Sequence, residues 1–126
     1  MNEWVGYNVE AEQSVIGGLM SLGNSNTAYG IYSSLTAEDF YKHDHKEIFQ
    51  AAKELFKRNL PIDNFTVSDH LNMNHAAYLG ELERNTPSVA NIRSYAMAVQ
   101  KKSIERAAML KLNESIAIIS QGGDTT

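Results

Sequence analysis

The stretch from Ser88 to about Ser120 keeps a helical pattern that is much longer than the roughly 11 to 12 residues of an average helix. The pattern allows an interruption of the helix only near residues 101–103. The whole chain has 126 residues, which fits one compact domain of roughly 100 to 150 residues. A helix this long is therefore expected to project from the globular body.

The late part of this helix carries apolar residues at helical spacing, namely Ile104, Ala108, Leu112, Ile116 and Ile119. Such a stripe is expected either to contact a partner or to belong to the core. The sequence leaves both interpretations open.

The first helix is predicted to start after Asn8, which is a good N-cap, and to end at Gly23. Glu10 and Glu12 lie near its positive end. One face carries four apolar residues, Val15, Ile16, Leu19 and Met20.

Gly17 and Gly18 lie inside this first helix, where each glycine costs about 1 kcal/mol relative to alanine. Their presence predicts that another backbone packs closely against them, and a helix crossing is the natural interpretation.

The middle of the chain predicts further short helices. Thr36 with Asp39 resembles a capping box, and Asp44 with Glu47 has the same spacing. The strongest amphipathic pattern follows, with Ile48, Phe49, Ala52, Leu55 and Phe56 on one face. Two short helices are expected, one running through Leu71 and one over residues 76–83, before a turn at residues 85–88 that leads into a helix beginning at Ser88.

No catalytic or cofactor motif emerges from the sequence. A glycine-rich loop followed by Lys and Ser/Thr is absent, so no nucleotide is expected to bind, and zero cysteines exclude disulfides and thiolate chemistry. Surface or capping roles are predicted for the potential ligands His43, Asp44 and His45, with Asp39 nearby. Solvent exposure is predicted for His70 and His75. The acid pairs Glu38-Asp39 and Glu81/Glu83 are predicted to lie at a helix start and on a polar face, where carboxylates are common. We therefore expect no catalytic, cofactor or metal site.

Trp4 precedes the first helix and is expected either to be an exposed contact residue or to pack on that helix as a hydrophobic staple. The N-terminus lacks the pattern of a signal peptide, and no apolar run reaches the roughly 20 residues of a membrane span. A cytoplasmic protein without membrane contact is expected.

The net charge of −4 hides an asymmetry, since residues 1–90 carry 6 Lys/Arg against 12 Asp/Glu and residues 91–126 carry 5 against 3. An acidic body is poorly suited to non-specific binding of nucleic acid, because such binding depends on cations that neutralise phosphates. A DNA-binding role would depend on five cations of the long helix, Arg93, Lys101, Lys102, Arg106 and Lys111. A solvated helix face explains the same charges.

The segment from Asn8 to Met20, NVEAEQSVIGGLM, resembles the opening helix of DnaB-type replicative helicases through the double glycine. Other matches keep the family's order and rough spacing: Asp39-Phe40-Tyr41, His45, Ile48-Phe49, Pro61-Ile62-Asp63, Tyr78-Leu79 with Leu82, Asn85-Thr86-Pro87-Ser88, Ala90-Asn91-Ile92 and Tyr95-Ala96. The connection from Leu71 to Tyr78 is shorter than the one that the family commonly has.

This resemblance implies an all-α fold, a compact multi-helix head followed by a long helix that begins a helical hairpin. It divides the chain into an N-terminal tail (1–7), a globular head (8–100), the first hairpin helix (101–120) and a loop (121–126) where the hairpin stops short. The motor domain, to which ATP and Mg²⁺ belong, is expected to be absent.

In function, the resemblance implies a non-catalytic collar and oligomerisation domain that acts in DNA replication. It is expected to self-associate, as a dimer or as a trimer of dimers in a hexamer, and to dock primase and possibly a helicase loader. Single-stranded DNA would be bound only by the complete helicase. The alternative is a free-standing collar homologue that binds and regulates a host helicase.

Overall fold

The computed structural model describes residues 4–122, which form an all-α fold without a strand in that range. This confirms the predicted fold class. The elements in chain order are α1 (Val9–Leu22), α2 (Asn26–Ser34), a 3₁₀ turn (Ala37–Asp39), α3 (His43–Lys57), α4 (Asn64–His70), α5 (Ala76–Arg84) and α6 (Ile92–Ser120). No helix in the described range combines the length and the apolar character that crossing a bilayer would need.

Helix α1 is the centre of the head, and both of its predicted ends are confirmed. The side chain of Asn8 accepts a hydrogen bond of 3.0 Å from the main-chain N–H of Ala11. Gly23, with φ of 55°, ends the helix in a conformation that favours glycine. The predicted apolar face is fully buried, and α3, α5 and α6 pack around it.

The two glycines of α1 lie where neighbouring elements come closest. A Cβ atom on Gly17 would lie 2.5 Å from the carbonyl oxygen of Leu82 and 2.5 Å from Oγ1 of Thr86. A Cβ atom on Gly18 would lie 2.8 Å from Cδ1 of Ile92. Gly17 thus contacts the main chain near the end of α5, and Gly18 contacts a side chain at the start of α6.

Two predicted helix starts are wrong. Helix α6 begins at Ile92 and not at Ser88, because the Ser88 hydroxyl accepts from the main-chain N–H of Ala90 and holds a local turn instead. Helix α3 begins at His43, so Asp44 is a residue of its first turn and not its cap. Helix α6 then runs without interruption through residues 101–103 to Ser120. Gly122 follows with φ of 68°, a conformation that favours glycine after the end of a helix, and Gly123 lies outside the described residues.

A buried carboxylate from α1 takes the place of the missing cap of α3. Glu12, which is 1% exposed, accepts hydrogen bonds from the main-chain N–H groups of Tyr41 (2.7 Å) and Lys42 (3.3 Å). Its Oε1 also accepts from Nδ1 of His45, at 2.7 Å. The negative charge therefore lies at the positive end of α3.

His45 is fully buried, so its predicted place at the surface or in a cap is wrong. Its Nε2 shares a hydrogen bond of 2.7 Å with the hydroxyl of Tyr78 on α5, and that hydroxyl accepts from the side-chain amide of Gln13 at 3.2 Å. The imidazole thereby connects α1, α3 and α5. The sequence could not show this, because the partners of His45 lie 33 residues away on either side of it.

We predict that Gly17→Ala lowers the free energy of unfolding by about 1–3 kcal/mol, since the new methyl group meets main-chain atoms that cannot move independently. Gly18→Ala is expected to cost less, because the Ile92 side chain can rotate away. Urea denaturation measures both.

The matched control is Gly30→Ala in α2, where a Cβ atom would meet nothing within 4 Å. The free energy of unfolding of this variant is expected to rise by about 0.5–1 kcal/mol, because alanine has the higher helix propensity. A Gly17→Ala protein that is as stable as the Gly30→Ala protein would contradict the proposed close contact.

Glu12→Gln is expected to cost about 3 kcal/mol, because an amide cannot accept all the hydrogen bonds that the carboxylate accepts. Burial raises the pKa of Glu12, but hydrogen bonds from His45, Tyr41 and Lys42 outweigh it and hold that pKa below its usual value. The stabilisation is therefore present above the pKa of the unfolded state and is lost as pH falls through the lower folded-state pKa.

We therefore expect the unfolding temperature of the wild type to fall more steeply than that of Glu12→Gln as the pH is lowered from 7 to 3. Glu10→Gln, on the exposed side of the same helix, is the control and should leave the curve unchanged. Equal acid sensitivity in the wild type and in Glu12→Gln would show that Glu12 is not the group responsible.

Candidate partner-binding surface

The long helix α6 is attached to the head only along its first half. Ile92, Ala96 and Val99 are buried against the core. From residue 107 to residue 122, every residue is exposed. Residues 107–120, which we call the projecting segment, therefore extend beyond the head as predicted from the length of the helical pattern.

Polar contacts fix α6 at the point where it leaves the head. The Ser103 hydroxyl donates to Oδ1 of Asp39 at 2.8 Å. The Arg106 guanidinium donates to the carbonyl oxygens of Gly6 (2.9 Å) and Asp39 (2.8 Å), and it lies 5.7 Å from the centre of the Tyr41 ring. One side chain thus joins α6 to both the N-terminal segment and the 3₁₀ turn.

The polar contacts of Trp4 are made with α6, a partner that neither the staple nor the exposed-contact interpretation named. Its indole N–H donates to Oε1 of Glu105 at 2.9 Å, and Nζ of Lys102 lies 5.7 Å from its ring. The bond from Trp4, assisted by Lys102, holds the pKa of the Glu105 carboxyl below its usual value. The N-terminal segment is therefore a brace for the long helix, although 48% of Trp4 stays exposed.

The residues predicted as a contact face are all exposed. The exposed fractions are 64% for Ile104, 54% for Leu112, 52% for Ile116 and 74% for Ile119, and Ala108 is exposed as well. Their alternative interpretation as core residues is therefore wrong for the single chain. Because successive helical residues are about 100° apart, the centre of this face lies roughly 180° from the line of buried residues on α6.

Further apolar side chains on the projecting segment were missed by the sequence analysis. Leu110 (62% exposed) continues the line of the buried residues beyond the head, while Ile118 (56%) lies between the two faces. Nine of the residues 107–120 are apolar and only two, Lys111 and Glu114, are charged. The sequence could have indicated this through the composition of the whole segment, which shows that it is apolar on more than one side. The single stripe that was considered could not.

Part of the predicted basic face of α6 is engaged in contacts within the chain. Lys102 donates to the carbonyl oxygen of Val5 at 2.8 Å and contacts Glu105 at 3.3 Å, while Arg106 is engaged as described above. Arg93, Lys101 and Lys111 remain exposed. Two of the five cations on which a DNA-binding role would depend therefore brace the N-terminal segment.

The four potential ligands that the sequence analysis considered together, Asp39, His43, Asp44 and His45, do not form one group. Asp39 bonds to Thr36 and Ser103, and His45 is buried against Glu12, whereas His43 is exposed. His70 lies at the surface, 3.7 Å from Glu54. The prediction for His75 is wrong, because only 16% of its side chain is exposed and its Nε2 lies 3.1 Å from Oε1 of Glu47.

The acid pairs also separate. Glu38 contacts Lys46 at 3.6 Å, and Glu83 accepts a hydrogen bond from the side-chain amide of Asn64, while Glu81 is exposed.

Comparison with known proteins identifies the class to which this architecture belongs. The family described as "DnaB-like helicase N terminal domain" matches residues 5–101. The chain therefore belongs to this family. The match is to the non-catalytic N-terminal domain, so these residues do not form the helicase motor.

Particular relatives agree with this assignment. The chain is 38% identical over 115 residues to "Replicative DNA helicase DnaB" of Buchnera aphidicola subsp. Baizongia pistaciae, which covers 86% of this chain and 24% of that protein. It is 32% identical over 125 residues to "Replicative DNA helicase DnaC" of Bacillus subtilis, covering 94% of this chain and 26% of that protein. The chain thus spans about a quarter of the length of these relatives.

A solved structure shows the same fold. The crystal structure of the N-terminal domain of DnaB helicase from Mycobacterium tuberculosis aligns with a TM-score of 0.83 at 27% identity, covering 96% of this chain and 90% of that one. The likeness includes most of α6.

We predict that Arg106→Lys weakens the brace between α6 and the N-terminal segment, because lysine cannot donate to the carbonyls of Gly6 and Asp39 in the same fork geometry. The expected cost is about 1–3 kcal/mol. Trp4 is the only tryptophan, so its fluorescence should shift to the red as the segment loosens.

Arg93→Lys, on an exposed position of the same helix, is the matched control and should change neither the stability nor the emission. An Arg106→Lys protein with the wild-type emission spectrum would show that Arg106 does not hold the segment.

Proposed function

We propose that this chain is the collar and oligomerisation domain of a replicative DNA helicase and that it acts in DNA replication in the cytoplasm. The observation that carries the proposal is the projecting segment, whose apolar side chains have no cover within the described chain. Large exposed apolar patches on soluble proteins mark interaction sites. Membership of the DnaB-like family and the resemblance to helicases named as replicative give that interaction its context.

Self-association is the interaction that the shape of α6 favours. A single partner lying along one stripe would cover the face of Ile104 and Leu112 but not Leu110, which lies on another side of the helix. A helix that is apolar on several sides is typical of a bundle in which more than one neighbour packs against it. Residues 101–120 would then be the first helix of a hairpin within that bundle, and copies would assemble as dimers and as a trimer of dimers.

The same apolar surface is also suitable for docking a primase and a helicase loader, since an amphipathic helix or groove of a partner needs an apolar counterpart. ATP, Mg²⁺ and single-stranded DNA would be bound through a separate motor domain. This division agrees with the acidic head and with the use of Lys102 and Arg106 inside the fold.

We expect the wild-type chain to have a concentration-dependent mass above that of the 14.0 kDa monomer when it is measured by light scattering or sedimentation. The double variant Ile104→Asp/Ile116→Asp should shift it towards the monomer, because each buried charge is far costlier than the side chain that it replaces. Both positions are more than half exposed, so the head should stay folded.

Phe65→Asp on α4 is the matched control, since Phe65 is 65% exposed but lies away from α6. It should not alter the mass. A wild-type chain that stays monomeric at high concentration, or a control that dissociates the complex equally, would refute self-association through this surface.

Mixing each protein with a primase that binds DnaB then separates the two parts of the proposal. Loss of co-elution for the monomeric double variant would support docking at the same surface. Retained co-elution would refute docking there and restrict the surface to self-association.

A further inference from the structure

Three potential metal ligands come together on the head, away from the surface of α6. Asp44 and Glu47 are three residues apart on the first turns of α3, and His75 is the residue immediately before α5. One carboxylate oxygen of each acid and one ring nitrogen of His75 all lie within 4.8 Å of one another. Two helices and the short connection from Leu71 to Tyr78 create this arrangement.

The spacing is close to that of a tetrahedral zinc site. Zn²⁺ bonds to histidine nitrogen and carboxylate oxygen at about 2.0–2.1 Å, which puts neighbouring ligand atoms about 3.4 Å apart. Nε2 of His75 already lies 3.1 Å from Oε1 of Glu47. The ligand atoms lie no further than 4.8 Å from one another, and Asp44 and Glu47 are both exposed, so their side chains have room to turn towards an ion.

His75 distinguishes this group from an ordinary patch of surface acids. Only 16% of its side chain is exposed, so its ring is held in place before any ion binds. A ligand that is already oriented loses little conformational freedom on binding. Its nitrogen also directs the choice of metal, since imidazole suits Zn²⁺ and similar ions, whereas Ca²⁺ and Mg²⁺ prefer oxygen ligands.

A second imidazole is within reach. Nε2 of His43 lies 3.8 Å from Oε1 of Glu47, four residues further along the same helix, and 81% of the His43 side chain is exposed and can reorient. Together the residues provide two nitrogens and two carboxylate oxygens. Two carboxylates and two neutral imidazoles carry a charge of −2, which a divalent cation neutralises.

The geometry points to a zinc-class metal site formed by Asp44, Glu47 and His75, with His43 as the fourth ligand. The bound ion would tie the first turn of α3 to the turn that precedes α5. It is independent of the proposed collar function, because none of its ligands belongs to α6.

The test is titration of the tag-free chain with Zn²⁺ by calorimetry and with Co²⁺ by visible absorption. We expect one ion per chain, a tetrahedral Co²⁺ spectrum, and a rise of the unfolding temperature with Zn²⁺ concentration, since an ion that binds only the folded chain stabilises it. His75→Ala should weaken binding by about 10-fold or more. Asp44→Asn and Glu47→Gln serve as second variants that retain the size of the side chains.

His70→Ala is the matched control, because His70 is also a surface histidine beside a glutamate, Glu54, but no third ligand is grouped with this pair among residues 4–122. It should bind Zn²⁺ as the wild type does. The proposal is overturned if the wild type binds no stoichiometric ion, if the Co²⁺ spectrum is that of an octahedral ion, or if His70→Ala and His75→Ala weaken binding equally.

Discussion

Glu12 carries its carboxylate into an interior where only 1% of the residue is exposed, and a charge in such a place is tolerated only when it is paired and hydrogen-bonded. Its partners are the main chain before α3 and the ring of His45, which in turn bonds to Tyr78 on α5. Apolar side chains would allow these helices to slide by small amounts. Directional bonds do not, because a displaced partner leaves a buried polar group unsatisfied. The mutual positions of α1, α3 and α5 therefore depend on this network.

A second constraint acts about one turn further along the same pair of helices. Gln13 reaches Tyr78, and Gly17, four residues later on α1, contacts the carbonyl of Leu82, four residues later on α5. The contact between α1 and α5 is thus fixed by a hydrogen bond at one point and by a close main-chain approach at the next. Glycine is needed at the second point because a Cβ atom there would lie only 2.5 Å from the Leu82 carbonyl oxygen.

Features that depend on neighbouring residues could be predicted from the sequence. The caps at Asn8 and Gly23 and the buried face of α3 follow from local hydrogen bonding and helical spacing, and the structure confirms them. His45 and His75 could not be placed in this way. Each is a polar residue in a polar stretch, and its environment is decided by a side chain 28 or 33 residues away. The same holds for Trp4, whose partner Glu105 is 101 residues distant.

The candidate surface was predictable only in part, because the first half of α6 contacts the rest of the chain and the second half does not. Up to Arg106 the helix bonds to the N-terminal segment and to the 3₁₀ turn, so these residues contribute to the stability of the head. The 14 residues of the projecting segment bury no side chain, and an isolated helix of that length is only marginally stable in water. Here the helix is already nucleated by its anchored half, so the segment can extend as a helix without tertiary contacts. The described residues leave its apolar side chains uncovered, and burying them against further helices would lower the free energy. Changes in the segment should therefore alter association without unfolding the head.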